Sequence, residues 1–160
     1  MTMRLSIFIL SNLDEILCEW EKFAATLAPL EEANRVELRD HAAAVLAVIA
    51  VDLEQSQAED ESIEKSHGQG PREKLDTAAE THAETRLEAG LDGNQLIAEY
   101  RALRSSVLRL WAREGALTTP QEIEDMVRFN EAVDQALGES MARYAKLNCS
   151  DQDDQDDLDR

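Results

Sequence analysis

Residues 38–55 read LRDHAAAVLAVIAVDLEQ, and this stretch decides the fold class of the chain. Its centre, from Ala42 to Val51, contains no polar residue. This centre is too short to cross a bilayer, which takes about 20 apolar residues. A helix without a polar face packs in the interior of a bundle. We therefore predict a helix over residues 36–55 in the middle of an all-α bundle.

Four more amphipathic helices are predicted around this one, because apolar residues recur every three or four positions in each segment. Prolines and glycines lie between the segments and mark their ends. The predicted helices cover residues 5–27, 71–89, 94–114 and 119–144, and Gly90 is the predicted C′ residue of the third helix in the chain. The fold class is therefore predicted to be all-α, a bundle of about five amphipathic helices in a four-helix-bundle or globin-like arrangement.

Two polar segments are predicted to lie outside the helices. Residues 57–70 are rich in Glu, Ser, Gln and Gly, a composition typical of a mobile loop. The final segment, CSDQDDQDDLDR, contains six aspartates and one arginine, and like charges at this density keep a segment solvated. We therefore divide the chain into a helical domain, 1–148, and a disordered acidic tail, 149–160. An interaction role for the tail is the alternative.

Charge and cysteine content restrict the classes of partner. The 160 residues include 16 basic and 34 acidic side chains, a formal net charge of −18. Such a chain lacks the positive surface that nucleic acids and anionic membranes require, so we expect neither as a partner. Cys18 and Cys149 lie far apart and form no disulfide framework. Two isolated thiols are typical of a reducing compartment, which predicts a cytoplasmic protein.

Sequence motifs for catalysis are absent. The chain contains no phosphate-binding glycine loop, no nucleophile elbow and no H-E-x-x-H zinc motif. One Glu-x-x-His pair, Glu64 and His67, lies in the polar segment, and nothing repeats it as a di-iron bundle would require. We therefore predict no catalytic residue, no metal and no cofactor.

His41 invites comparison with phosphorelay transfer domains, which are acidic helical bundles with a histidine on a central helix. Their histidine is normally followed by Lys at the third position and Gly at the fourth. Here the sequence continues as Ala-Ala-Ala-Val45. We therefore do not expect phosphotransfer at His41.

Polar residues that interrupt apolar helix faces are the candidate ligand-binding site. A buried polar group without a partner costs about 1–3 kcal/mol, so these residues should pair with one another or with a ligand. One interpretation is an interhelical network that joins Arg86 or Arg104 to Asp134, and His82 to Glu99 or Asn130. The second is a small polar pocket, and the third is a histidine-centred pH or metal switch. The candidates are His41, His82, Arg86, Tyr100, Arg104, Asn130 and Asp134.

Six segments in a fixed order carry a family resemblance. They are SIFILSNLDEILCEWEKFA (6–24), LRDHAAAVLAVIAVDLEQSQ (38–57), KSHGQGPR (65–72), TAAETHAETRLEAG (77–90), LIAEYRALRSSVLRLW (96–111) and DMVRFNEAVDQALGESMARY (125–144). Together they resemble the RsbRD N-terminal-like input domain, found at the front of many bacterial sensor histidine kinases and, in related form, in stressosome co-antagonist proteins.

The resemblance implies an all-helical, often dimeric signalling domain without catalysis of its own. Its characteristic polar and aromatic positions would fall at Trp20, Asp40, His41, Lys65, His82, Arg86, Glu99, Tyr100, Arg101, Arg104, Trp111, Arg128, Asn130 and Asp134. The kinase-linked members continue into a phosphoacceptor helix and an ATP-binding module, whereas this sequence continues from Tyr144 into the aspartate-rich segment. We therefore expect a non-enzymatic input domain that acts through a homodimer, a cognate signalling protein or a small ligand. A ligand-independent scaffold of a stressosome-type regulator is the alternative.

Overall fold

The computed structural model describes residues 3–27, 35–55, 57–71, 77–115 and 118–158. These residues form seven helices and no strand, which confirms the all-α prediction. The helices are α1 Leu5–Ser11, α2 Leu13–Ala24, α3 Arg35–Glu54, α4 Glu59–Ser66, α5 Ala78–Glu88, α6 Gly93–Ala112 and α7 Pro120–Leu158.

The first predicted helix is two helices, α1 and α2, that meet at Asn12. Its side-chain Nδ2 and its backbone N–H both donate to the Phe8 carbonyl, at 3.0 and 2.9 Å. Asparagine competes in this way for backbone groups that a continuous helix would use. The prediction of one helix over 5–27 was therefore wrong, although both parts bury apolar side chains, Ile9, Ile16 and Trp20 among them.

The polar segment predicted as a loop contains α4. Three acidic residues occupy its first turn, where the helix dipole favours them. Lys65 fixes this helix to α3, because its Nζ donates to Asp52 Oδ1 at 2.6 Å and to Gln57 Oε1 at 2.7 Å. An eight-residue helix is marginal alone, so these contacts and the packing of α4 against α7 explain why residues 59–66 are helical although their composition predicts a loop.

The predicted boundaries of α5 and α6 are confirmed in part. Thr77 caps α5 by accepting from the Glu80 backbone N–H. The predicted start at residue 71 is wrong, because Pro71 lies outside the helix. Residues 72–76 lie outside the described residues. Gly90 adopts φ +91°, as expected for a C′ residue. The Leu91 N–H reaches the Arg86 carbonyl at 3.0 Å, which completes a Schellman motif.

Helix α3 lies less deeply in the bundle than its composition predicts. Leu46, Ile49 and Leu53 are buried, but Val48 and Val51 are 59% and 56% exposed. The apolar exposed face shows that α3 packs against α1, α2, α5 and α7 from one side. The prediction of a helix surrounded by others is therefore wrong in this respect.

Helix α7 runs antiparallel to α6 and continues far beyond it. Arg104 pairs with Asp134, Tyr100 with Ser140, and the Tyr144 hydroxyl donates to the Leu91 carbonyl at 3.0 Å. The helix crosses residue 148 without a break and ends at Leu158. Residues 149–158 thus belong to α7, residues 159 and 160 lie outside the described residues, and the disordered tail stays a prediction.

Gly138 of α7 lies against Gly68, directly after α4. A Cβ atom on Gly138 would stand 2.7 Å from the Gly68 Cα atom and 3.1 Å from its carbonyl oxygen. The two backbones are therefore in contact, which needs glycine on both sides. In the described part of the chain, no helix combines the length and continuous apolarity that a bilayer crossing requires.

Candidate functional site

A buried ion pair lies at the centre of the predicted site. Arg86 of α5 donates through Nε to both carboxylate oxygens of Glu99 of α6, at 2.8 and 3.0 Å. The His82 Nε2 lies 3.2 Å from Glu99 Oε2. All three residues are at most 4% exposed. Of the two pairings predicted for His82, the structure selects Glu99, and Arg86 binds Glu99 rather than the predicted Asp134.

Burial and charge determine the protonation of this cluster. Burial lowers the pKa of His82 more than the hydrogen bond and charge of Glu99 raise it, so the imidazole is neutral at pH 7. Burial would raise the pKa of Glu99, but the hydrogen bonds from His82 and Arg86, together with the charge of Arg86, outweigh it, and that pKa is lowered. An ionised carboxylate accepts only, so Nε2 of His82 carries the proton.

Tyr100 connects the cluster to α7. Its hydroxyl lies 2.6 Å from Ser140 Oγ, and Ser140 donates to the Ala79 carbonyl of α5 at 2.5 Å. Because Ser140 donates its one proton to Ala79, the tyrosine donates to Ser140. Burial raises the pKa of the Tyr100 phenol. A chain of hydrogen bonds therefore joins α6, α7 and α5.

The other predicted site residues do not converge on this cluster. Arg104 and Asp134 form the predicted pair at 2.6 Å, but their side chains are 32% and 38% exposed. Asn130 donates to the Met126 carbonyl of its own helix at 2.9 Å. His41 of α3 is half-buried, and its charge contributes to lowering the pKa of His82.

The space beside the cluster is very small. A cavity of about 10 Å³ touches His82, Glu99 and Tyr100, which is the volume that one water molecule needs. Among the described residues, His82 Nδ1 and both terminal nitrogens of Arg86 are buried without a hydrogen-bond partner. These observations favour the predicted interhelical network, with room for a water molecule, over a ligand pocket at these residues.

A larger cavity of about 260 Å³ lies between α3, α4, α5 and α7. Its walls are mostly apolar, and its polar margin includes Asp52, Lys65, Gln135 and Glu139. These polar groups are already paired: Lys65 with Asp52, and Gln135 with the Gly70 backbone and Glu139. The apolar lining residues are Val45, Val48, Ile49, Pro71, Ala78, Ala79, Ala132 and Ala136.

Sequence reasoning missed this cavity because its apolar walls consist largely of alanine, and an alanine gives no sign of whether its neighbour fills the adjacent space. The signal that could have indicated it is the combination of Ala78, Ala79, Ala132 and Ala136 on inward helix faces. No group of three or more His, Cys, Asp or Glu residues within the described ranges is arranged to hold a metal ion.

The stability of the protein is expected to fall as the pH drops below about 6.5. An unfolded histidine takes up a proton near that pH, whereas the lowered pKa of His82 delays its protonation in the folded state. The contribution of His82 is therefore complete above pH 6.5 and is lost toward lower pH, by at most about 1.4 kcal/mol per pH unit.

Urea unfolding at several pH values between about 7.5 and 5 measures this dependence. The His82→Asn variant should have a smaller slope than the wild type, and His67→Asn, which changes an exposed histidine, should keep the wild-type slope. Equal slopes for the wild type and His82→Asn would contradict the expectation.

Comparison with known proteins gives no match: no family model, no curated protein and no solved structure is similar to this chain.

Proposed function

We propose that this protein is a non-catalytic sensory or input domain that binds a small ligand in the 260 Å³ cavity and passes the binding event to α7. The observation that carries the proposal is which helices form the cavity wall. Helices α3, α5 and α7 each supply part of it, and α7 continues to Leu158, past the other helices. The resemblance to kinase and stressosome input domains supports the same class of function.

The cavity favours a neutral, mainly apolar ligand. Its polar margin is already paired, so a charged ligand would lose water without gaining new partners. A volume of about 260 Å³ is below the range typical of pockets for drug-sized molecules, so a ligand of one or two small rings fits it best.

Helix α5 connects the cavity to the buried network. Ala78 and Ala79 line the cavity, while His82 and Arg86 on the same helix reach Glu99. The Ala79 carbonyl also accepts from Ser140 of α7. A ligand that moves α5 would therefore strain hydrogen bonds to both α6 and α7. The bound and unbound conformations would then differ in these contacts, as a two-state signal requires.

Calorimetry with neutral aromatic probes tests the proposal. Indole and 1-naphthol at millimolar concentration are expected to raise Tm by a few degrees, since a ligand at about 100 times its Kd stabilises the folded state by about 2.7 kcal/mol. Ala136→Leu places a larger side chain in the cavity and should abolish this rise. Ala142→Leu, at an exposed position of the same helix, is the matched control and should retain it.

Two results would reject the ligand-binding proposal. One is a Tm that no neutral probe changes, and the other is an equal Tm rise in the wild type and in Ala136→Leu. A stable oligomer that ignores every probe would favour the ligand-independent scaffold instead.

A further inference from the structure

The solvent-facing side of α6 is basic, in contrast to the rest of the molecule. Arg101, Arg104, Arg109 and the C-cap residue Arg113 project from it, and we call these four residues the arginine face. The one acidic residue of α6, Glu99, is buried. A chain with 34 acidic and 16 basic residues thus places a quarter of its positive charge on one helix.

The arginine face also contains smaller side chains. Ser105, Leu108 and Ala112 lie between the arginines on the same helix. Arg104 reaches Asp134 on α7, and Arg109 reaches Glu19 on α2 at 3.2 Å. Arg101 is exposed and has no ion-pair partner within the described residues. The face therefore offers arginine side chains and a short apolar strip to a partner.

The C-terminal end of α7 is acidic, in contrast to the arginine face. We call residues 149–158 the acidic segment; the sequence places five aspartates there and no basic residue. The carbonyl end of a helix carries partial negative charge and favours cations, and neighbouring aspartates repel one another. The acidic segment is nevertheless helical, so a positive partner would stabilise it.

The acidic segment cannot reach the arginine face of its own chain while α7 remains helical. Helix α6 is antiparallel to α7, and its first turn lies beside Met141 and Tyr144. Beyond Tyr144, α7 extends about 20 Å past the N-terminal end of α6 at 1.5 Å per residue. The arginines lie in the opposite direction, so any contact must be made by a second molecule.

We propose that the arginine face binds the acidic segment of a second copy of this chain, and that the contact is reciprocal in a two-fold dimer. A two-fold interface pairs the same two surfaces twice, so each dimer would contain two such contacts. The net charge of −18 opposes association at long range, but at about 0.15 M salt the Debye length is about 8 Å, and contacts between opposite charges outweigh distant repulsion.

A charge exchange in the full-length chain tests this dimer. Arg101→Glu/Arg109→Glu reverses two of the four charges of the face, and Asp153→Lys/Asp157→Lys reverses two of the five charges of the segment. Each variant alone is expected to be monomeric, with Kd raised at least about tenfold over the wild type. Their equimolar mixture should recover the dimer, because each reversed surface then meets its complement. Analytical ultracentrifugation at about 0.15 M NaCl measures the Kd.

Controls separate this dimer from other outcomes. Lys22→Glu makes one charge reversal of the same kind at an exposed site outside the four arginines and should leave the Kd unchanged. A monomeric wild type, a face variant as dimeric as the wild type, or folded variants that fail to associate on mixing would each overturn the proposal. So would a thymidine oligonucleotide that binds the wild type and not the face variant, since the face would then serve nucleic acid. None of these results depends on ligand binding in the cavity.

Discussion

Glu99→Ala is expected to lower the free energy of unfolding by about 3–5 kcal/mol, the largest effect of any single side chain in the site. The substitution leaves the Arg86 guanidinium fully buried without its carboxylate partner. It also removes the hydrogen-bond partner of His82. Since small domains are stable by only about 5–15 kcal/mol, this loss is readily measured by chemical unfolding.

A matched exposed pair provides the control for Glu99. Asp134→Ala breaks the half-exposed pair with Arg104 and should cost less than about 1 kcal/mol. Replacing both buried partners, as Arg86→Met/Glu99→Leu, should recover most of the loss, because no buried charge then remains. If Glu99→Ala prevents folding, Glu99→Gln serves instead, because it keeps the hydrogen-bond acceptor. Its loss in free energy of unfolding should lie between those of Asp134→Ala and Glu99→Ala. A cost for Glu99→Ala no larger than that of Asp134→Ala would contradict the buried ion pair.

Gly138→Ala is expected to destabilise the protein by about 1–3 kcal/mol or more. Helix propensity alone predicts the reverse, since alanine is favoured over glycine by about 1 kcal/mol inside a helix. The added methyl group would stand 2.7 Å from the Gly68 Cα atom, and a backbone atom cannot rotate away. The contact with Gly68 therefore outweighs helix propensity, and we expect Gly138→Ala to be less stable than the wild type. Thermal unfolding measures this change in stability.

Gly93→Ala is the control for this prediction. A Cβ atom there meets the Met141 Cε atom at 3.2 Å, the flexible end of a long side chain. Its effect should be close to zero or slightly stabilising. A Gly138→Ala variant that melts no lower than Gly93→Ala would show that α4 and α7 do not lie in backbone contact.

The spacing of apolar residues, with prolines and glycines at the segment ends, predicted the helices that have strong local signals. Residues 94–114 have a clear apolar face and begin beside the Asp92 capping box, and α6 forms there. The glycine at position 90 marked the end of α5 correctly. Helix α4 escaped prediction because its stability depends on packing against α7 and on the contact of Lys65 with Asp52 of α3, which no local pattern contains.

The spacing rules identified three buried polar residues, His82, Arg86 and Tyr100, but not their partners. His82 and Arg86 were both predicted to face the interior and are buried. Spacing along one helix says nothing about which residue lies opposite, so the pairing of Arg86 with Glu99 required the three-dimensional structure. The short connection between α5 and α6, residues 89–92, is a signal that would have favoured a partner on α6 over one on α7.

The glycine contact also limits how α7 can move. Any slide along the helix axis would carry Gly138 away and bring a side chain against Gly68, whereas a tilt about this point keeps the two backbones apart by the same distance. Leu158 lies about 30 Å beyond this point at 1.5 Å per residue, so a tilt of about 5° displaces it by about 3 Å. The helix would then pivot at the glycine contact, so that a small rearrangement in the bundle would displace its C-terminal end by a larger distance.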